Sequence, residues 1–253
     1  VQTVHNVIII EDDVEFHIIT GCAVASYAND GMHIGITELY IGKNATLSYT
    51  MIHDWAPGMV VRPRTGIQVE ENGKFISNYI SMRATKMTQM YPEARLIGEN
   101  ASARFTSLIL SPDNSVYDLG ARVYLSAAKS NAEIISRTIS NGGDAIARGH
   151  IIAEAPGTRG HLECSGLFLT ENGIIDAVPQ LTAKLPDTDL SHEAAMGKIG
   201  EEKLEYLMAR GLTRDQATQM IVRGFLDTGI LGLPKQLQEE VQRNIELMEE
   251  ETL

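Results

Sequence analysis

Over most of the first 189 positions, apolar and polar residues alternate with a period of two. Val14, Phe16 and Ile18 fall in phase against Glu15 and His17, and Ala45, Leu47, Tyr49 and Met51 against Thr46, Ser48 and Thr50. That is the period of a half-buried strand, whose side chains point alternately to opposite faces. Turn residues interrupt the runs roughly every ten positions and no helical period precedes about residue 200, which predicts an all-β body.

A short form recurs within that body. Asn44-Ala-Thr-Leu, Asn72-Gly-Lys-Phe, Asn100-Ala-Ser-Ala and Asn131-Ala-Glu-Ile share an Asn, a small residue, any residue and an apolar or small one; Asp13-Val-Glu-Phe and Asn172-Gly-Ile-Ile are looser copies. From Asp13 to Asn131 the copies are almost evenly spaced, and the longer step to Asn172 reads as stretched by an insertion. Asn and Asp tolerate the left-handed backbone conformation, which lets the chain turn and enter a strand at low cost. A repeat of this length favours a solenoid, and a right-handed parallel β-helix is predicted for residues 1–189, with a jelly roll or sandwich as the competing architecture.

The pattern changes for residues 190–253, which are expected to form a helical region. Leu204, Leu207 and Met208 make one apolar stripe, with Gly211 as its stop. Thr213-Arg-Asp-Gln216 has the spacing of a capping box. Ala217, Met220, Ile221, Gly224 and Phe225 then continue at helical spacing. Pro234 suits the first turn of a third helix, with Leu237, Val241, Ile245 and Met248 as its apolar stripe.

Composition narrows the function classes. Hydrophobic residues make up 43% of the 253 and aromatics only 6%, so aliphatic side chains must build the core. A net charge of -12 argues against phosphate-backbone binding and hence against a nucleic-acid partner. Two cysteines in such a length give no disulfide framework, and no apolar run is long enough to span a bilayer; a cytoplasmic protein is expected. The chain starts at Val1 in a strand-like run, which leads one to expect a further segment before it. Phosphate-loop, C-x-x-C, H-E-x-x-H and G-x-S-x-G motifs are missing, so the residues give no support for an enzyme.

Three residues remain as candidates for chemistry. Cys164, in His161-Leu-Glu-Cys164, is either a ligand for iron and sulfur or, being in phase with Leu162, a packing residue. His161, three positions away, should face the opposite side. His192 and Glu193 fall where the strand pattern gives way to helices; either an irregular backbone there lets imidazole and carboxylate converge on iron, or Ser191 or Asp189 caps a turn and His192 merely hydrogen-bonds nearby. Cys22 reads as a core residue, and His150 and His161 as surface or turn histidines.

The order Ser191-His192-Glu193-Ala194, Gly197-Lys198-Ile199, Leu204-x-Tyr206-Leu207-Met208-x-Arg210-Gly211 resembles the C-terminal segment of the SufB/SufD family of iron–sulfur cluster assembly scaffold proteins. The resemblance implies a right-handed parallel β-helix followed by a helical region. It also implies a non-catalytic scaffold carrying a transiently bound iron–sulfur cluster. The partners would be an ABC-type ATPase subunit, a second copy or a paralogue, and a sulfur donor protein. By position, His192 and Glu193 fall at the family's candidate cluster position. Leu204, Tyr206, Leu207, Arg210, Gly211, Met220 and Phe225 fall in the ATPase-docking region. The thiol important in the cluster-building member registers nearer Gly173 than Cys164, which implies a compact, SufD-like or archaeal-type homologue. The competing classes are a carbohydrate-active β-helix enzyme, which the low aromatic content disfavours, and a purely structural interaction module.

Overall fold

One corner of the chain repeats its backbone conformation coil after coil. Asp13, Asn44, Asn72, Asn100, Lys129 and Gly157 all have φ between 55° and 68°, and each stands one coil beyond the last. Each donates its backbone N–H to a carbonyl of the next coil, as Asn44 does to Glu71 (2.9 Å) and Lys129 to Pro156 (3.1 Å). Side-chain amides stack above them: Asn44 donates to Asp13 (2.9 Å), Asn72 to Asn44 (3.0 Å) and Asn100 to Asn72 (3.2 Å). The expected Asn turns are therefore correct at 44, 72 and 100. Two are corrected. Asn131 is the first residue of a strand, two positions beyond the left-handed Lys129, and Gly173 rather than Asn172 turns the chain, at a second corner shared with Asn114 and Gly142. With Lys129 and Gly157 in the column, the steps from Asn44 to Gly157 are nearly even and the apparent stretch before Asn172 disappears.

A computed structural model describes residues 1–23, 30–81 and 83–226. The predicted helix at Pro234–Met248 lies outside them. Strands β1 (Gln2–Ile10) and β2 (Glu15–Ala23) make the first coil, and β3 (Asp30–Ile41) and β4 (Thr46–Asp54) the second. In the next two coils the leading strand is split: β5 (Gly58–Val61) and β6 (Arg64–Val69) precede β7 (Lys74–Ser81), and β8 (Met87–Met90) and β9 (Glu93–Leu96) precede β10 (Ser102–Pro112). Pro63 and Pro92 sit in the two breaks, where a residue without an N–H cannot continue a ladder. Then follow β11 (Val116–Leu125) with β12 (Asn131–Asn141), β13 (Asp144–Ala153) with β14 (Thr158–Phe168), and β15 (Ile174–Ala183) with β16 (Thr188–Lys198).

These strands form two parallel sheets, one of nine strands and one of seven, the latter in the order β16-β14-β12-β10-β7-β4-β2. The architecture is the expected parallel β-helix, not a sandwich. Registered rows of side chains fill its interior. Leu47, Phe75 and Ala103 are consecutive rungs of one row, and Phe105, Ile134 and Leu162 of the next. Phe75 and Phe105 meet edge to face at 5.5 Å, a favoured arrangement for aromatic rings.

The last strand passes through the position at 189/190 where the sequence suggests a change of pattern, and helix begins at Glu201. Helix α1 (Glu201–Met208) is followed by α2 (Arg214–Leu226). The capping box forms: Thr213 N–H donates to Gln216 Oε1 (2.9 Å) and Gln216 N–H to Thr213 Oγ1 (3.2 Å). Gly211, at φ 97°, makes the turn between the helices. Arg214 clamps Glu201 through two hydrogen bonds of 2.6 and 3.0 Å, tying α2 to α1. The apolar stripe of α2 differs from the expected one. Ala217, Val222 and Leu226 are buried whereas Met220 is 53% exposed, because the helix seats its Val222–Leu226 edge on an outer patch of Ile80, Leu108, Leu110, Ile139 and Leu167.

A candidate metal centre on the outer face of the seven-stranded sheet

Strand geometry sorts the candidate residues onto two faces. In β14, Leu162 and Cys164 point into the core, at 0% and 2% exposure, so His161 and Glu163 point outward. The neighbouring strand β16 is in register, with Ser191 beside His161, His192 beside Leu162, Glu193 beside Glu163 and Ala194 beside Cys164. Glu193 therefore joins the outward set. His192 falls on the inward phase, at the end of the row that runs Phe105, Ile134, Leu162. The expectation that His192 and Glu193 converge is corrected: both lie within a regular strand, where sequence neighbours face opposite sides. Cys164 does not join Glu193 either, for the same reason.

What the fold brings together instead is His161, Glu163 and Glu193. One ligand atom from each lies within 4.8 Å of the other two. The imidazole shares a 2.9 Å hydrogen bond between Nδ1 and Ser191 Oγ; in the tautomer in which Nδ1–H donates, Nε2 carries the lone pair a cation needs. Glu163 is largely covered and holds two partners. Its Oε1 accepts from the Ser165 hydroxyl (3.2 Å) and from Arg137 Nη2 (2.5 Å). Glu193 is exposed. An open groove of about 610 Å³, lined by Glu133, Arg159, His161, Asp189 and Ser191 among others, runs alongside and admits solvent to the imidazole. One nitrogen and two carboxylates form a hard donor set, suited to a divalent first-row cation with positions left open. They do not suit a preformed iron–sulfur cluster, which thiolates hold. Sequence reasoning set His161 aside and overlooked Glu163. The signal was present, since the two lie one coil before Ser191 and Glu193 and in register with them.

The thiols are placed otherwise. Cys164 sits beneath Ala194, and burial, with a smaller contribution from the Glu163 charge, pushes its pKa up to about 11. Its side chain packs with Leu162 in the core cluster. Cys22 was expected in the core but is only half-buried, at the edge of a cluster of Trp55, Met59 and Val61. Burial raises its pKa as well. Gly173, the position registered with the family thiol, is a left-handed turn residue whose Cβ would lie 2.2 Å from Ser140 Oγ and 2.6 Å from the Gly143 carbonyl oxygen. No cysteine fits there without distortion.

The helical candidates split by exposure. Leu204 is buried, Leu207 and Phe225 are half-buried, and Gly211 is a turn. Tyr206 is 57% exposed, with the Arg210 guanidinium 4.5 Å above its ring, and Met220 lies open on α2.

A parallel β-helix followed by the helices α1 and α2 is a β-solenoid, and the sequence comparisons give its family. Residues 1–225 match the family described as "SUF system FeS cluster assembly, SufBD core domain". The chain is 54% identical over 252 residues to an iron–sulfur cluster assembly SufBD family protein of Archaeoglobus fulgidus, covering 100% of this chain and 68% of that one. It is 45% identical to one from Methanothermobacter thermautotrophicus (97% and 60% covered) and 32% identical to one from Staphylococcus aureus (96% and 53%). The chain belongs to the SufBD family, whose matched core domain is described as one of iron–sulfur cluster assembly. Several of these relatives are considerably longer. No helix among the described residues is long and apolar enough to cross a membrane.

Proposed function

We propose that this chain is a scaffold subunit that receives ferrous iron for cluster assembly at His161, Glu163 and Glu193, and that its paired helices dock an ABC-type ATPase. The observation that carries the first part is the convergence, from two coils, of three metal-competent side chains beside an open groove. Iron here is cargo. The outer face presents it with hard ligands, while the buried Cys164 thiol lies one residue away on the inner face, so iron and sulfur chemistry are kept on opposite sides of one sheet. The edges of β15 and β16, unpaired among the described residues, suit pairing with a second copy or a paralogue, and sulfur would come from a donor protein.

Anaerobic calorimetry with ferrous ion, or cobalt absorbance as its surrogate, tests the iron reading. Wild type should bind one equivalent, and His161→Ala or Glu193→Gln should weaken it by at least about tenfold, the effect of losing a donor. Equal binding by all three chains would remove the trio from the reading.

The docking reading rests on the exposed Tyr206, Arg210 and Met220, large side chains of the kind that anchor interfaces. Replacing Tyr206 and Met220 together by Ala should lower affinity for the ATPase by about tenfold or more in surface plasmon resonance. Because both are exposed, the β-helix should unfold at an unchanged midpoint. Undiminished affinity would move the docking surface elsewhere.

A further inference from the structure

Between the trio and the helices stands one cation with two partners. Arg137, on β12, is level with Ser165 in the register and reaches back along the outer face to Glu163, where Nη2 lies 2.5 Å from Oε1. The carbon of the same guanidinium lies 5.6 Å from the centroid of the Phe225 ring on α2, within the range of cation–π attraction. Two residues further along β12, Ile139 belongs to the apolar patch on which Val222 and Leu226 seat α2. Arg137 thus marks the border between the surface that holds the helix and the surface that holds the carboxylates. Arg104, also on this face, is engaged with Glu133 at 2.7 Å, and Glu133 is one register step from His161.

We propose that Arg137 is a positioning residue that links α2 to the trio: it competes with a divalent cation for Glu163, and its hold on Glu163 is set by where α2 places Phe225. This rests on the reading of the trio as an iron site. A guanidinium is flat, permanently charged and able to stack and hydrogen-bond at once, which a lysine ammonium does not reproduce. With Phe225 against it, Arg137 has little freedom left to lose in pairing with Glu163, and the pair is favoured. When α2 shifts, as it would on engagement of a docked partner, the ring withdraws, the pair loosens and Glu163 turns to the cation. The helical region would then control iron affinity without contacting the iron.

The test is cobalt titration of wild type, Arg137→Gln, Phe225→Leu and the double variant. Phe225→Leu keeps apolar bulk on the patch while removing the aromatic face. Removing the positive charge should tighten binding by about tenfold in Arg137→Gln, given a single charge some 5 Å from a divalent ion in a water-like dielectric. Phe225→Leu should tighten it by about twofold to threefold, the scale of an exposed cation–π contact. The double variant should match Arg137→Gln, since Phe225 acts through Arg137. Phe225→Leu having no effect, or the same effect with and without Arg137, overturns the proposal. Metal-free NMR of the Arg137 guanidinium separates the two readings. Faster side-chain rotation in Phe225→Leu supports the linkage even if no chain binds cobalt, an outcome that would overturn the iron site alone; unchanged rotation overturns the linkage whatever the metal does.

Discussion

Between pH 7 and pH 4 the β-helix is expected to lose about 3 kcal/mol of stability through His53 alone. His53 lies on β4 at 2% exposure, in register with Cys22 on β2. Its ring packs edge-on against Trp55 (5.6 Å) and Tyr79 (5.1 Å), and its Nδ1 shares a 2.9 Å hydrogen bond with the Tyr79 hydroxyl. Burial holds the Tyr79 phenol well above its ordinary range, so it stays protonated. Burial first, and His33 nearby second, push the His53 pKa down to about 3. A group that resists protonation in the folded chain takes its proton mainly in the unfolded one. Its destabilising effect is therefore absent above about pH 6.5, grows as the pH falls and is complete below about 3.

Urea unfolding at pH 7, 5 and 4 checks this against His53→Gln, which keeps an acceptor for Tyr79 but cannot be charged. The variant should be less stable at pH 7 by about 1–2 kcal/mol, from lost ring packing, and should cross the wild type as the pH falls. The depressed carboxylates of Glu38, Glu154 and Glu201 titrate in both chains and cancel in the comparison, whereas the titration of His33 is coupled to that of His53. Parallel pH dependence in the two would show that His53 is not the source.

Much of the fold was legible because one physical requirement recurs where the residue type reveals it. A left-handed corner is cheapest for Asn, Asp or Gly, so Asn44, Asn72 and Asn100 marked the coils directly. The pattern failed at Lys129, which adopts φ 58° although its type does not ask for it. There the hydrogen bond from Lys129 N–H to Pro156 and the stacked coils impose the conformation, and that information resides in neighbours a full coil away. Once Lys129 was missed, Asn131 and Asn172 filled the gap, and the apparent stretch hid which residues share a rung.

The candidate site suffered from that slip more than the fold did. A β-helix juxtaposes residues one coil apart, so a chemical cluster is written in the sequence at intervals of one coil, as His161, Glu163 and Glu193 are. His192 and Glu193 drew attention as neighbours in the chain, yet adjacency is what a strand uses to separate side chains. The helical caps fared better, since Thr213, Gln216 and Gly211 act within a few residues of themselves. The face α2 buries did not, because Ile80, Leu108 and Ile139 choose it from far away in sequence.

Cys164 should be nearly inert in the folded chain. The thiolate is the form that attacks carbon, ligates iron and accepts sulfur, and a thiol with a pKa of about 11 presents roughly 300-fold less of it at pH 7.5 than an ordinary cysteine. Access is restricted as well, since Leu162 and Ser136 flank it and β16 covers it through Ala194. Timed alkylation with iodoacetamide, read by mass spectrometry, should label Cys164 at least about a hundredfold more slowly in the native chain than in urea. Its rate should climb about tenfold per pH unit through pH 9. Cys22, half-exposed in the first coil, should label first. Comparable native labelling of both thiols would contradict the burial of Cys164. If the contrast holds, the outer trio can take up iron while the nearest thiol stays protonated. Sulfur chemistry at Cys164 then requires β16, which among the described residues is paired on one side only, to part from β14. A docked ATPase or a second copy on that edge should accelerate Cys164 labelling in the same assay, if it is what moves the strand.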